Sequence, residues 1–418
     1  MHPTDDAGLL SPYRVLDLTD ERGILGGKIL ADLGADVIQI EPPGGSSARR
    51  VGPFYQDEPH PERSLFWWSY AANKRSITLN MISSDGRALL RRMVPSAHFL
   101  IESFPPGHME RLGLGYDALA AINPALIVVS VTPFGQDGPY AHYHASDLNG
   151  MGMAGFMYLT GDPDRPPARV GVPHFYLHGA AAGVTGAMIA HTQRVLTGRG
   201  QHVDVSCQEA VARTLASAPQ LCAIEQTVIR RQGSYRQTGD TTFMRITWPC
   251  KDGFVNFQLS GGAGAGRSVN NLIQWMEEEG RGDPFLTGLD WTTLGYGIIT
   301  KELLDRVVPP VERFLMSHTK AELFEGAVKR RILLFPVATT GDIMQNAQLQ
   351  ARGYFRQVSH PDLATTITYP GPFVQASATP IELRRLAPKV GEHNAEIYLN
   401  ELALAREELV RLREAGAI

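Results

Sequence analysis

The stretch YRVLDLTDERGILGGKILADLGADVIQIE, residues 13–41, switches between two kinds of periodicity. YRVLDL is an apolar run with the length of a buried strand. GILGGKILADLG spaces its apolar residues for a helix and stops at Gly34. ADVIQIE is a second apolar run. Strand, helix and strand in this order predict a parallel βαβ unit. The alternation continues outward. SITLN (76–80), HFLIES (98–103), ALIVVSV (125–131) and GRGQHVDVS (198–206) read as strands. DGRALLRRMV (85–94), GHMERLGLGYDALAAIN (107–123, around a glycine-rich turn) and a run near 177–196 read as helices, and QEAVARTLASAP (208–219) opens another. The fold class is therefore α/β, with helices covering a parallel sheet.

After about residue 240 the texture changes. TTFMRITWPCKDGFVNFQLSGGAGAGRSVNNLIQWMEEEG (241–280) reads as two strands around a Lys-Asp-Gly turn, a glycine-rich loop and a helix. Helices dominate 299–330. The end returns to short strands and closes with NELALAREELVRLREAGAI (400–418), an amphipathic helix. A chain of 418 residues is long for one core and predicts two domains.

Composition narrows the function. The chain is 43% apolar and 20% charged, with a formal charge of −4 and no Lys/Arg stripe, which argues against nucleic acid as a partner. Cys207, Cys222 and Cys250 are widely spaced and form no CxxC pair, which argues against a zinc site or a disulfide framework and fits a reducing cytoplasm. The start, MHPTDDAGLL, lacks the basic-then-apolar layout of a signal peptide. No apolar run reaches the length of about 18 residues that spans a bilayer. No membrane association and no metal are expected.

Four stretches carry candidate chemistry. Asp147 stands alone among small and apolar residues in HASDLNGMGMAGFMYLTG (144–161). It could cap the apolar helix that follows, since aspartate favours that position. It could equally be a nucleophile, and the two roles are compatible. In IEPPGGSSARR (40–50), Glu41 sits where a dinucleotide fold has its ribose-binding acid, but the first helix lacks GxGxxG; Arg49 or Arg50 can grip phosphate there, or lie in a solvated loop. Lys74 and Arg75 stand at a strand entrance, where paired cations can hold a pyrophosphate or simply mark a surface turn. SGGAGAGR (260–267) has Gly261, Gly262, Gly264 and Gly266 within six positions, suited to an anion cradle, a moving lid or a plain turn. His142, His144, His174 and His178 flank the Asp147 region without HExxH spacing. Trp67 and Trp68 could line a site for an acid with an apolar or aromatic part, or pack a core.

Taken together, these stretches resemble the class III coenzyme A transferases, the family of formyl-CoA transferase and carnitine CoA-transferase. The likeness covers most of the chain. It rests on LADLGADVIQIEPPGG (30–45), NKRSITLN (73–80), ERLGLGYDALAAINPALIVVSVTPFGQDGPY (110–140), SDLNGMGMAGFMYLTG (146–161), TGRGQHVDVSCQEA (197–210), WPCKDGF (248–254) and APKVGEHN (387–394). The TWPCKDG type resembles the succinyl-CoA:benzylsuccinate branch. The resemblance implies a Rossmann-like large CoA-binding domain (1–224 and 336–418) and a smaller α+β domain (225–335) bearing the glycine-rich loop. It also implies two subunits interlocked like linked rings, either a homodimer or a heteromer with a related subunit. Asp147 matches the family's catalytic aspartate, which would pass CoA from an acyl-CoA to a carboxylic acid through an aspartyl anhydride and an aspartyl-CoA thioester. Arg49, Lys74 and Arg75 would hold CoA phosphates, and Gly261, Gly262, Gly264 and Gly266 would form a lid. CoA enters as a thioester substrate, with no cofactor implied.

Three departures stand out. SFPPG (103–107) has Pro105 where an arginine is common, VGVPHFYLHGAAAG (170–183) has no Asp, and DERGILGG (20–27) differs from the usual AGP pattern. Racemases of the same fold use a His directly before the Asp, where this chain has Ser146, and a second Asp near His174, Tyr176 and His178. An intramolecular CoA-transferring isomerase would use the same aspartate. A catalytically silent CoA-binding subunit of a hetero-oligomeric transferase is the remaining alternative.

Overall fold

The computed structural model describes residues 8–237, 243–295 and 299–418. The first seven residues of the acidic start, and Thr241 and Thr242 of an expected strand, lie outside the described residues. The chain forms two compact units. One contains residues up to Ala154, Gly171–Thr214 and Gln350–Ile418; the other contains Gly155–Val170 and Leu215–Leu349. The sequence reading set the divisions at 224/225 and 335/336 and kept 155–170 in the large domain. That segment belongs with the second unit because its backbone is tied there. The Gly233 N–H donates to the Gly161 carbonyl at 2.9 Å, and Arg231 donates to the carbonyls of Asp162 and Arg165.

In the first unit, β1 (Arg14–Asp17), β2 (Asp36–Glu41), β3 (Arg75–Thr78), β4 (Phe99–Glu102), β5 (Ile127–Thr132) and β6 (His202–Ser206) make one parallel sheet in the order β3-β2-β1-β4-β5-β6. Every residue of β3, β4 and β5 is buried, as expected of a parallel sheet covered on both faces. The helices are α1 (Ile24–Asp32), α2 (Leu65–Ala71), α3 (Ser84–Met93), α4 (His108–Arg111), α5 (Tyr116–Ile122), α6 (Asp147–Met153), α7 (Phe175–Thr197) and α8 (Cys207–Ala212). The chain leaves β1 toward β3 and returns to β4 on the other side of β1. The carboxyl ends of β1 and β4 therefore flank a topological switch point, where open α/β sheets bind ligands.

The second unit has α9 (Ala218–Glu225), a pair β7 (Tyr235–Gln237) and β8 (Phe243–Arg245), and an antiparallel sheet β11-β10-β9. In that sheet β9 (Thr247–Cys250) and β10 (Gly253–Phe257) form the expected hairpin around Lys251 and Asp252, and β11 (Leu334–Pro336) adds to β10. Helices α10 (Ala265–Glu278), α11 (Pro284–Thr287), α12 (Lys301–Met316) and α13 (Lys320–Arg330) accompany it. Its core gathers Trp248, Trp275 and Trp291.

Beyond it, β12 (Phe355–His360) and β13 (Thr365–Pro370) form a hairpin of the first unit. The chain end then seals the β3 edge, which would otherwise expose unpaired backbone groups. His393 N–H donates to Ser76 O at 2.9 Å, Thr78 N–H donates to Asn394 Oδ1 at 2.9 Å, and Tyr398 Oη donates to Thr78 O at 2.7 Å. APKVGEHN is thus an edge cover. The single closing helix expected over 400–418 is broken. Glu396–Glu401 is a π-helical turn, Ala403 takes a φ of +52°, and a regular helix spans only Arg406–Glu414. Beyond the break Leu404 is buried, its N–H donating to Tyr398 O at 2.9 Å.

Candidate active site

Asp147 is the first residue of α6 rather than its cap. Ser146 holds the cap position, its hydroxyl accepting the Asn149 N–H. The half-buried Asp147 carboxylate serves a different helix. Its Oδ1 accepts the N–H of Phe175 at 2.9 Å, at the start of the 23-residue α7. His174, the cap residue of α7, supplies no side-chain bond of its own. An anionic group at a helix N-terminus meets unpaired N–H donors and the positive end of the dipole.

The carboxylate is held from both sides in sequence. Tyr176 Oη donates to Ala145 O at 2.6 Å, and the buried Phe175 ring lies so close to Gly150 that a Cβ there would fall 2.4 Å from it. Gly150 thus admits the ring that anchors α7.

The same end of α7 adjoins the carboxyl edge of the sheet. Gly179 has no room for a side chain, because a Cβ would lie 2.2 Å from Sγ of Cys207, the residue after β6. On its other side α7 packs against α1, where Ala180 O lies 3.7 Å from where a Cβ of Gly26 would be. Just before α1, in the loop after β1, Asp20 hydrogen-bonds Ser103 from the loop after β4 (Oγ to Oδ1, 3.1 Å). Arg22 grips Asp20 through Nε and Nη2 at 2.9 and 2.5 Å. Burial works against the Arg22 charge, but the Asp20 hydrogen bonds and the charges of Asp20, Tyr176 and Glu21 outweigh it and hold its pKa above the ordinary value. Burial raises the Tyr176 phenol, with Arg22 opposing, and pushes the Cys207 thiol up to about 12. Cys207 is therefore an inert thiol. In the sequence DERG stands out only as a departure; its significance lies in its position, directly after the central strand.

The three cations expected to hold CoA phosphates are engaged within the chain. Lys74 is fully buried, and its three protons go to Asp17 Oδ2 (2.8 Å), Gln39 Oε1 (2.9 Å) and Ile24 O (3.0 Å). Burial lowers its pKa against the pull of Asp17. Arg49 is equally buried. It binds Glu41 through Nε and Nη2 at 2.6 and 2.8 Å, Glu62 at 2.9 Å and Pro388 O at 2.9 Å, with its guanidinium 3.9 Å from the Trp67 ring centre. Arg75 forms a network with Asp36, Glu396 and Glu401, which raise its pKa against burial. These are structural ion pairs, and in this structure a phosphate would have to displace carboxylates to reach them. Glu41 correspondingly serves Arg49, Ser46 and Ser76, not a ribose.

Trp67 and Trp68 are core residues, their indole N–H groups donating to Pro388 O and Glu62 O at 3.0 Å each. His142 and His144 are exposed. His178 Nδ1 lies 2.8 Å from His174 O. Among the described residues no group of three or more His, Cys, Asp or Glu could hold a metal.

At the carboxyl end of β4, Glu102 is buried and makes no ion pair among the described residues, the Arg22 charge acting on it without a salt bridge. Burial pushes its pKa up to about 7, against hydrogen bonds from Ser130 and from the Phe104 N–H (2.6 Å). Ser130 Oγ lies 2.9 Å from His202 Nε2. The cavity beside them, about 10 Å³, is also lined by Gln136, whose buried Nε2 has no partner among the described residues.

The glycine-rich loop, in the second unit, is pinned at its ends and open at its tip. Cβ atoms on Gly261 and Gly266 would lie 2.3 Å from the carbonyls of Leu294 and Trp291. The Gly262 N–H donates to Trp291 O at 3.0 Å, and its φ of +98° is open to glycine without strain. Gly264 faces open space.

Comparison with known proteins accords with the motifs. The model of CoA-transferase family III matches residues 10–394. The chain is 34% identical to the succinyl-CoA:(R)-benzylsuccinate CoA-transferase subunit BbsE of Thauera aromatica, over 98% of each chain. It is 31% identical to the succinyl-CoA–D-citramalate CoA-transferase of Chloroflexus aurantiacus, again over 98% of each. A CAIB/BAIF family protein from Brucella suis has a similar structure (TM-score 0.77, 27% identity, 94% of this chain and 99% of that one). The chain belongs to CoA-transferase family III.

Proposed function

We propose that Asp147 is the nucleophile of this CoA-transferase and that its donor is succinyl-CoA or a related dicarboxylic monothioester. The acceptor is an aromatic or dicarboxylic acid. The observation that carries the nucleophile is the Asp147 carboxylate, half-buried, held at 2.9 Å from the first amide of α7 and fixed by Tyr176 and Phe175 around it. The substrate class is supported by the names of both relatives, which pair succinyl-CoA with a second acid.

The chemistry balances without a redox or metal step. An Asp147 oxygen attacks the thioester carbonyl, the C–S bond breaks, and a mixed anhydride and CoA thiolate form. The thiolate attacks the aspartyl carbonyl, releasing the donor's carboxylate and leaving an aspartyl-CoA thioester. The acceptor carboxylate attacks that thioester, expelling thiolate and forming a second anhydride. Thiolate then attacks the acceptor's acyl carbon, giving the new acyl-CoA and regenerating Asp147. Covalent catalysis divides one exchange into easier steps. The anhydrides need protection from water. The working assembly is an interlocked dimer or a heteromer with a related subunit; the name of the Thauera relative, itself a subunit, favours the second form.

Intact-protein mass spectrometry after incubation with succinyl-CoA, with hydroxylamine or borohydride trapping, tests the proposal. An adduct mapping to Asp147 is expected. Transfer activity persisting in Asp147→Ala would sink the assignment.

A further inference from the structure

A dicarboxylic substrate brings a second carboxylate, which must be received at some distance from the reacting one. Lys74, Arg49 and Arg75 have their donors directed at carboxylates and carbonyls of the chain itself. Arg22 differs. It lies in the loop after β1, at the switch point. Asp20 occupies its Nε–Nη2 edge, and Nη1 has no partner among the described residues. A guanidinium has two edges suited to a carboxylate fork, so the Nη1–Nη2 edge stays available.

Its setting is fixed rather than loose. Asp20 is tied to Ser103 from the β4 loop, and the start of the loop is pinned by Thr19, whose hydroxyl donates to Asp17 Oδ1 at 2.6 Å, in the cluster around Lys74. The Arg22 side chain keeps 27% of its surface exposed, enough to be reached by a ligand while partly removed from water. Arg22 stands two residues before α1, which packs against α7 with Ala180 O 3.7 Å from where a Cβ of Gly26 would be, and the first amide of α7, at Phe175, bonds Asp147 itself.

We propose, building on Asp147 as the reacting group, that Arg22 is a specificity-determining residue whose Nη1–Nη2 edge binds the distal carboxylate of a dicarboxylic acyl group. Asp20 and Glu21 share its loop, so a substrate carboxylate arriving without Arg22 would meet two negative charges. Removing the guanidinium therefore turns attraction into repulsion, and the preference for a charged acyl tail reverses.

The test compares succinyl-CoA with butyryl-CoA, which has the same chain length and no distal carboxylate. Donor kcat/KM is measured with one fixed acceptor for the wild-type protein, Arg22→Gln and Arg22→Lys, in whatever assembly the protein works. A charge-assisted fork sets the expected loss on succinyl-CoA at about 10- to 100-fold in Arg22→Gln, with butyryl-CoA unchanged or improved and Arg22→Lys intermediate. Equal losses on both donors in a folded variant, or a wild type indifferent to the distal carboxylate, overturn the proposal. If Arg22→Gln does not fold, the succinyl-to-butyryl ratio of Arg22→Lys decides. Absence of an Asp147 adduct in the wild type would refute the nucleophile separately; the Arg22 proposal is then decided by the Kd of each acyl-CoA for wild type and Arg22→Gln.

Discussion

Lys74 and Asp147 are both charged groups at helix and strand ends of the same sheet, yet their surroundings differ. Lys74 is enclosed, with each proton assigned to an internal oxygen. Asp147 remains half-buried and holds a helix start from outside the sheet. The first arrangement sets the loops in place; the second leaves a charge within reach of a substrate. Residue type alone does not separate the two roles. What separates them is burial: Lys74 is fully enclosed, whereas Asp147 keeps part of its surface exposed while it bonds the Phe175 amide.

The sharpest way to break this distinction is Asp147→Asn. The amide oxygen can still accept the Phe175 N–H, so the thermal midpoint should move little while transfer falls about a thousandfold or more. Retained transfer would remove the chemistry from this edge. Lys74→Met tests the enclosed side. It leaves Asp17 buried without its cation and should cost about 3–5 kcal/mol in urea unfolding. A cost under about 1 kcal/mol would mean that water reaches the cluster after all.

Glu102 sharpens the contrast, being an enclosed acid with no ion pair among the described residues, unlike Glu41 beside Arg49. Its pKa rises from 4.5 to about 7 on folding, so between those values the folded state binds more protons than the unfolded one. Stability contributed at this site is therefore present below pH 4.5 and is lost as pH rises to 7. Glu102→Gln should be near neutral at pH 4 and stabilising by roughly 2–3 kcal/mol at pH 8. Thermal unfolding across that range checks it, and a gain independent of pH would contradict the ionisation.

The smallest effects concern the glycine loop. Gly264→Ala meets open space and should change stability by less than about 0.5 kcal/mol, whereas Gly266→Ala collides with Trp291 O and should cost about 1–3 kcal/mol.

Much of the architecture was legible in the sequence, because strand and helix periods in 13–41 and 76–132 are strong and local. The hairpin at Lys251–Asp252 and the long α7 were legible for the same reason. The roles of Arg49, Lys74 and Arg75 were not. Lys74 finds its partners 35 to 57 residues back, in β1, α1 and β2, and Pro388 on Arg49 and Glu396 and Glu401 on Arg75 come from more than 300 residues away, so these contacts exist only in the folded chain. Asp147 could be picked out as a lone acid before an apolar helix. That it served the start of a second helix, rather than its own, depended on a contact spanning 28 residues. Arg22 carried no periodic signal at all; its place became visible only when strand order identified the switch point.

The bond between Asp147 and Phe175 has a consequence for the catalytic cycle. In the mechanism proposed above, acylation removes the charge of the carboxylate, and its oxygen becomes a weaker acceptor for the Phe175 N–H. The first turn of α7 is then less firmly secured than in the resting enzyme, and restoring it favours release of the aspartyl group. Amide hydrogen exchange over Phe175–His178 would thus act as a gauge of turnover, faster while CoA is parked on the protein and slower once it has been handed on.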